Sequence, residues 1–158
     1  MKDRWFEDDP AADTDCENFR ITIWNHIDRL RRAHFPPPRN FLRAHLTMFH
    51  RLPGEYMEQI LKHLTEVAAA NRGITAQVPG LRHLGAGVAF TIASPQVERV
   101  HIELRVTFVS WPGGQDLRKW QPHITIQNMV SRSAADALHS TLRMGLRSHP
   151  VEIVGLDL

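Results

Sequence analysis

The sequence predicts an α+β (α/β-like) domain, in which a mixed sheet packs against helices. The first observation is the order of strand-like and helix-like patterns along the 158 residues, β-α-β-α-β-β-α-β-α-β. The second is length, since a chain of this size buries roughly 70% of the surface that its unfolded form exposes. The third is composition, with 42% hydrophobic and 23% charged residues, the balance of an ordinary folded domain.

Two strands and two helices are predicted in the first half of the chain. The first strand alternates apolar and polar residues, and the following helix has Ile27 and Leu30 on one face. Pro36 and the prolines after it end that helix, because proline cannot continue one. The second helix shows the clearest apolar spacing, and Gly73 follows it in the position of a C-cap glycine. The predicted ranges are 19–24 (strand), 25–34 (helix), 44–49 (strand) and 55–71 (helix).

Four strands and two helices are predicted in the second half. Gly85 and Gly87 suit a turn between the first two of these strands. Residues 96–110 fit both a strand and a helix, and we favour the helix because Ser94 and Pro95 form a typical helix start. The predicted ranges are 74–78 and 87–93 (strands), 96–110 (helix), 122–130 (strand), 133–145 (helix) and 151–158 (strand).

Charge divides the chain into two parts. Residues 1–17 carry seven acidic and two basic side chains and are predicted to form a flexible acidic tail. Residues 18–158, the predicted domain, carry 17 basic and 10 acidic side chains. Sixteen of the 19 basic residues of the chain are arginine, whose planar fork suits phosphate. Codon bias toward arginine would give the same excess of arginine over lysine. The arginine count therefore does not distinguish codon bias from selection for phosphate binding.

Cys16 is the single cysteine, which excludes an intramolecular disulfide and a structural zinc site built from cysteines. The N-terminal residues lack the apolar run of a signal peptide, and no stretch of 18 apolar residues is present. We therefore expect a cytoplasmic protein without membrane insertion.

The segments that point to chemistry are two copies of one pattern. His45-Leu46-Thr47-Met48 and His123-Ile124-Thr125-Ile126 each read histidine, apolar, threonine, apolar. Because side chains alternate along a strand, each segment places its His and Thr on the same face. The two segments lie 78 residues apart, about half the chain, which suggests a divergent internal duplication.

A third His-x-Thr, at His139 and Thr141, serves as a control. It falls in a predicted helix, where residues two apart point in nearly opposite directions. Context therefore selects the first two copies. Two imidazoles can take and give protons near neutral pH, and threonine hydroxyls can bind phosphate oxygens, which together suit opening of a phosphodiester.

At these residues the chain resembles the two-histidine phosphoesterase superfamily, in particular its bacterial 2′-5′ RNA ligase-like and RNA 2′,3′-cyclic phosphodiesterase branch. The resemblance runs from about residue 19 to 158 and includes both motifs, their spacing and the order of elements. It implies two pseudo-symmetric lobes with helices outside and a central cleft. It implies a metal-independent phosphodiesterase acting on 2′,3′-cyclic phosphate or 2′-5′ linkages of RNA ends or nucleotides. His45 and His123 match the acid/base pair, and Thr47 and Thr125 match the phosphate-binding hydroxyls.

Other residues are weaker candidates. Arg43 and Arg51 flank the first motif and could bind phosphate, although a solvated arginine is the more common reading. Phe49 and Trp120 could stack a base, although aromatic residues near strands more often belong to the core.

Two alternatives stay open. One is a non-catalytic RNA- or nucleotide-binding module that uses the same basic cleft. The other is a metal site made from His45, His50 and His123, which no carboxylate-rich motif accompanies. The sequence does not distinguish the acid from the base, or hydrolysis from ligation.

Overall fold

The computed structural model describes residues 17–23, 26–111 and 116–157. Six strands, four helices and two short 3₁₀ turns (Pro37–Arg39 and Gly54–Tyr56) are present in this part of the chain. The strands are β1 (Glu17–Ile23), β2 (His45–Leu52), β3 (Ile74–His83), β4 (Val88–Ala93), β5 (His123–Gln127) and β6 (His149–Asp157). The helices are α1 (His26–His34), α2 (Met57–Ala70), α3 (Pro95–Thr107) and α4 (Arg132–Gly145).

The strands form one curled antiparallel sheet that closes on itself in the order β1-β2-β5-β4-β3-β6. The two motif strands, β2 and β5, are therefore neighbours in the sheet. The predicted α+β class is confirmed. The two-lobed arrangement that the resemblance implies stays a prediction, because the six strands belong to a single sheet.

One apolar cluster lies between the sheet and the helices. Strand residues such as Leu46 and Ile124 are completely buried, and helical residues such as Ile27, Ile60 and Leu104 pack into the same cluster. The opposite faces of β2 and β5 are only half-buried. The apolar face of the sheet thus provides the core, and the other face carries the polar residues of the motifs.

Most of residues 96–110, which suit either a strand or a helix, lie in the helix α3, which ends at Thr107 and not at residue 110. Ser94 accepts a hydrogen bond from the Val97 backbone N–H at 3.3 Å, and Pro95 is the first residue of α3. The predicted cap is therefore confirmed, and it starts a helix whose apolar face packs into the core.

Several predicted boundaries were wrong. β3 continues to His83 instead of ending near Val78, because an irregularity between Gln77 and Gly80 accommodates Pro79 in the strand. β5 ends at Gln127, and Met129 beyond it has a positive φ of 59°. The helix predicted over 55–71 begins with a 3₁₀ turn, and its α-helical part starts at Met57.

Most of the predicted acidic tail, residues 1–16, lies outside the described residues, and Glu17 is the first residue of β1. Among the described residues, none of the helices has the length and apolarity needed to cross a membrane.

Candidate active site

The two His-x-Thr motifs lie side by side in the sheet. β2 and β5 pair antiparallel at Leu46 and Ile124, the central apolar residue of each motif. Because side chains alternate along each strand, the His and the Thr of both motifs lie on the same face of the sheet, on either side of this pair. Two imidazoles and two hydroxyls therefore share one patch of the sheet.

The burial of the motif residues follows the predicted alternation. Leu46 and Ile124 are completely buried, whereas the two histidines and the two threonines are half-buried. The apolar residues anchor each strand in the core. The polar residues consequently lie on the opposite, partly accessible face.

Both histidine rings are held in the same way. His45 Nδ1 lies 2.8 Å from the Arg43 carbonyl oxygen, and His123 Nδ1 lies 2.8 Å from the Gln121 carbonyl oxygen. A carbonyl oxygen only accepts hydrogen bonds, so Nδ1 of each ring must carry the hydrogen. In the neutral ring, Nε2 is then the nitrogen that can take a proton. Each motif thus presents an oriented imidazole of the same tautomer.

Both threonine carbonyls are held by side chains from outside the two strands. Trp120 Nε1 donates to the Thr47 carbonyl oxygen at 3.1 Å, and Arg31 Nη1 donates to the Thr125 carbonyl oxygen at 2.6 Å. Trp120 lies in the loop before β5, and Arg31 lies in α1. The backbone that carries each hydroxyl is therefore fixed by a second contact besides the sheet.

The loop before β5 is also tied to the far end of β2. Asp116 accepts hydrogen bonds from the His50 backbone N–H at 3.0 Å and from the His50 ring at 2.8 Å. The Arg51 backbone N–H lies 3.4 Å from the same carboxylate. The His50 ring is therefore paired through Nδ1 with Asp116.

An aromatic stack supports the same loop. The Trp120 ring lies parallel to His101 with a centroid distance of 4.0 Å, and His101 stacks in turn on Phe49 at 5.2 Å. Burial, together with the nearby Arg105, lowers the pKa of His101 to about 4. His101 is therefore neutral at physiological pH, which suits a ring packed between two aromatic neighbours.

The four weaker candidates are placed differently from one another. Phe49 is completely buried, so its ring is not accessible for stacking on a base. Trp120 is half-buried and holds the Thr47 carbonyl. Arg43 and Arg51 are exposed on either side of the first motif.

One candidate was missed by sequence reasoning. Thr91 of β4 lies directly opposite His123 in the sheet register and is half-buried, which adds a third hydroxyl to the motif face. Its alternation with the buried Phe90 and Ile92 was a usable signal for its face. Its neighbour could not be predicted, because strand order and register are not readable from one sequence.

Among the residues that the structure describes, no group of three or more His, Cys, Asp or Glu side chains is arranged to hold a metal ion.

The antiparallel sheet and the two His-x-Thr motifs on adjacent strands agree with the two-histidine phosphoesterase class that the sequence resembles. A family model, the 2′-5′ RNA ligase superfamily, matches residues 19–158, and the chain belongs to this family. The family implies 2′-5′ RNA ligase-like phosphoesterase activity and an RNA-related substrate. No curated protein matches the chain closely enough to name a nearer relative.

Proposed function

We propose that the protein is a metal-independent phosphodiesterase that opens 2′,3′-cyclic phosphates or 2′-5′ linkages of RNA ends or nucleotides. His45 and His123 exchange the protons, and Thr47 and Thr125 bind the non-bridging phosphate oxygens. The observation that carries the proposal is the matched pair of oriented imidazoles, each with its hydrogen on Nδ1 and each beside a threonine on one face.

The chemistry requires two proton transfers. In hydrolysis, one neutral imidazole takes a proton from water through Nε2 while the water oxygen forms a bond to phosphorus. The bond from phosphorus to one ribose oxygen breaks, and the other imidazole, in its protonated form, gives that oxygen a proton. The threonine hydroxyls donate to the oxygens on which negative charge develops. One ring must be neutral and the other protonated, so the rate should fall on both sides of a pH optimum.

The first experiment measures hydrolysis of 2′,3′-cyclic nucleotides and of RNA ending in a cyclic phosphate, with EDTA present throughout. His45→Ala and His123→Ala should each lower kcat by at least about a hundredfold, because each removes a general acid or base. The matched control is His139→Ala, which removes the histidine of the third His-x-Thr. His139 lies in α4 beside His83, so its loss should leave kcat within about twofold.

The threonines allow a finer test. Thr47→Val and Thr125→Val keep the shape of the side chain and remove the hydroxyl, and each should lower kcat about ten- to a thousandfold. Thr→Ser at either position keeps the hydroxyl and should retain most of the activity. Equal losses for Val and Ser would contradict a role for the hydroxyl.

The alternative, a non-catalytic RNA- or nucleotide-binding module, gives a different pattern. Wild type would then bind the same ligands without turnover, and the histidine variants would lose binding. Wild-type turnover that is seen only when EDTA is left out would contradict the metal-independent mechanism.

A further inference from the structure

Arg31 lies where few arginines are found, in the interior of the protein. Its exposed fraction is 4%, and it belongs to the face of α1 that packs on the sheet. Its guanidinium carbon lies 3.9 Å from the centre of the Phe35 ring. A buried guanidinium is stable only when its donors are satisfied, so its hydrogen bonds show what it holds.

The hydrogen bonds of Arg31 reach both motifs. On one side, Nε donates to Asn40 Oδ1 at 3.1 Å and to the Leu42 carbonyl oxygen at 3.0 Å, both in the loop that leads into β2. On the other side, Nη1 donates to the Thr125 carbonyl oxygen in β5 at 2.6 Å. One rigid, planar group therefore spans the entry to the first motif and the centre of the second.

The loop that Arg31 holds also orients His45. The residue after Leu42 is Arg43, whose carbonyl oxygen accepts the Nδ1 hydrogen of His45. A shift of the peptide at Leu42 would move that carbonyl and release the ring. His123 differs in this respect, since its Nδ1 partner is the Gln121 carbonyl in a separate loop.

The sheet alone gives these two strands little mutual support. β2 and β5 are joined at one register pair, whereas β1 and β2 are joined at five. We infer that Arg31 is a positioning residue that fixes the first imidazole relative to the second motif. The expected effect of Arg31 on the rate rests on the proposed function, whereas its effect on the orientation of the His45 ring does not.

The experiment compares Arg31→Met, which removes the donors, with Arg31→Lys, which keeps the charge but not the fork. Arg29→Met is the control, because Arg29 is an exposed arginine of the same helix. In Arg31→Met, kcat should fall about ten- to a hundredfold with KM within about twofold, since a displacement of 1 Å is enough for such a loss. Arg31→Lys should lie between Met and wild type.

A second readout is the tautomer of each histidine, from long-range ¹H–¹⁵N NMR spectra of the imidazoles. Arg31→Met should convert His45 from the Nδ1-protonated form to a mixture and leave His123 unchanged, a difference that general destabilisation would not produce. An unchanged His45 tautomer in folded Arg31→Met would overturn the inference, whatever happens to kcat. If Arg31→Met does not fold, the tautomers are measured in Arg31→Lys instead, and an unchanged His45 tautomer there would likewise overturn the inference. If wild type turns over none of the substrates, the proposed function fails and the tautomers still decide the role of Arg31.

Discussion

The hydrogen bond between Asp28 and the backbone before His45 allows a stability prediction of defined size. Asp28 Oδ1 accepts from the Ala44 backbone N–H at 2.8 Å, in a buried setting just before β2. Its other oxygen pairs with Arg32 at 2.6 Å, but the Arg32 side chain is 64% exposed. Asp28 also lies in the first turn of α1, where a negative charge is favourable.

These contacts give separate contributions to the free energy of unfolding. Asp28→Ala leaves the Ala44 N–H buried without an acceptor, which costs about 1–3 kcal/mol. Loss of the charge near the helix start costs about 0.3–1 kcal/mol, and loss of the exposed ion pair costs about 0–1 kcal/mol. Together these contributions come to about 1–5 kcal/mol for Asp28→Ala. Asp28→Asn keeps an acceptor oxygen of the same reach and should cost only about 1 kcal/mol.

The assay is urea unfolding at pH 7, followed by tryptophan fluorescence, for wild type, Asp28→Ala and Asp28→Asn. The midpoint should fall clearly more for Ala than for Asn, with an unchanged slope, since the native contacts and not the unfolded state are affected. If the two variants differ by less than about 0.5 kcal/mol, the Ala44 hydrogen bond does not have the value assigned to it here.

Two further predictions concern the interior. Neutral His101 contributes stability that is fully present above pH 6.5 and is lost as the pH falls toward its folded pKa of about 4. Between pH 6.5 and pH 4, the free energy of unfolding from urea titrations should fall by up to about 3 kcal/mol more for wild type than for His101→Phe. Parallel plots of this free energy against pH for the two proteins would contradict the prediction. Gly87→Ala would place a Cβ in overlap with the Gln127 carbonyl oxygen, whereas Gly145→Ala meets open space. Thermal unfolding should show a loss of more than about 2 kcal/mol for the first and less than about 0.5 kcal/mol for the second.

The elements that sequence reasoning predicted well are those whose pattern reflects burial directly. Side chains of the motif strands alternate between the core and the polar face, so the burial of Leu46 and Ile124 could be predicted from the sequence pattern alone. The start of α3 was predicted because a serine cap followed by proline is a local signal. The end of β3 was not, because proline normally marks the end of a strand, and here an irregular register retains Pro79 within it.

The supporting residues of the site were missed for a different reason. Asp28 and Arg31 lie on the buried side of α1 with Ile27, although charged residues are normally placed on the solvent face. Hydrophobic periodicity therefore predicted burial for Ile27 and Leu30 but not for Asp28 and Arg31. Asp28 and Arg31 each bind a backbone group of a motif segment, at Ala44 and at Thr125, and backbone groups have no signature in the sequence.

Each motif is supported by a side chain from the segment that leads into the other motif. Arg31 precedes the first motif and holds the threonine carbonyl of the second, whereas Trp120 precedes the second motif and holds the threonine carbonyl of the first. The repeated His-x-Thr pattern predicts two equivalent motifs, and the Nδ1 hydrogen bonds of the two histidines are equivalent. The supports are not equivalent, since one is a guanidinium from a helix and the other an indole from a loop. Because each motif depends on a segment that leads into the other, neither half of the chain contains a complete site.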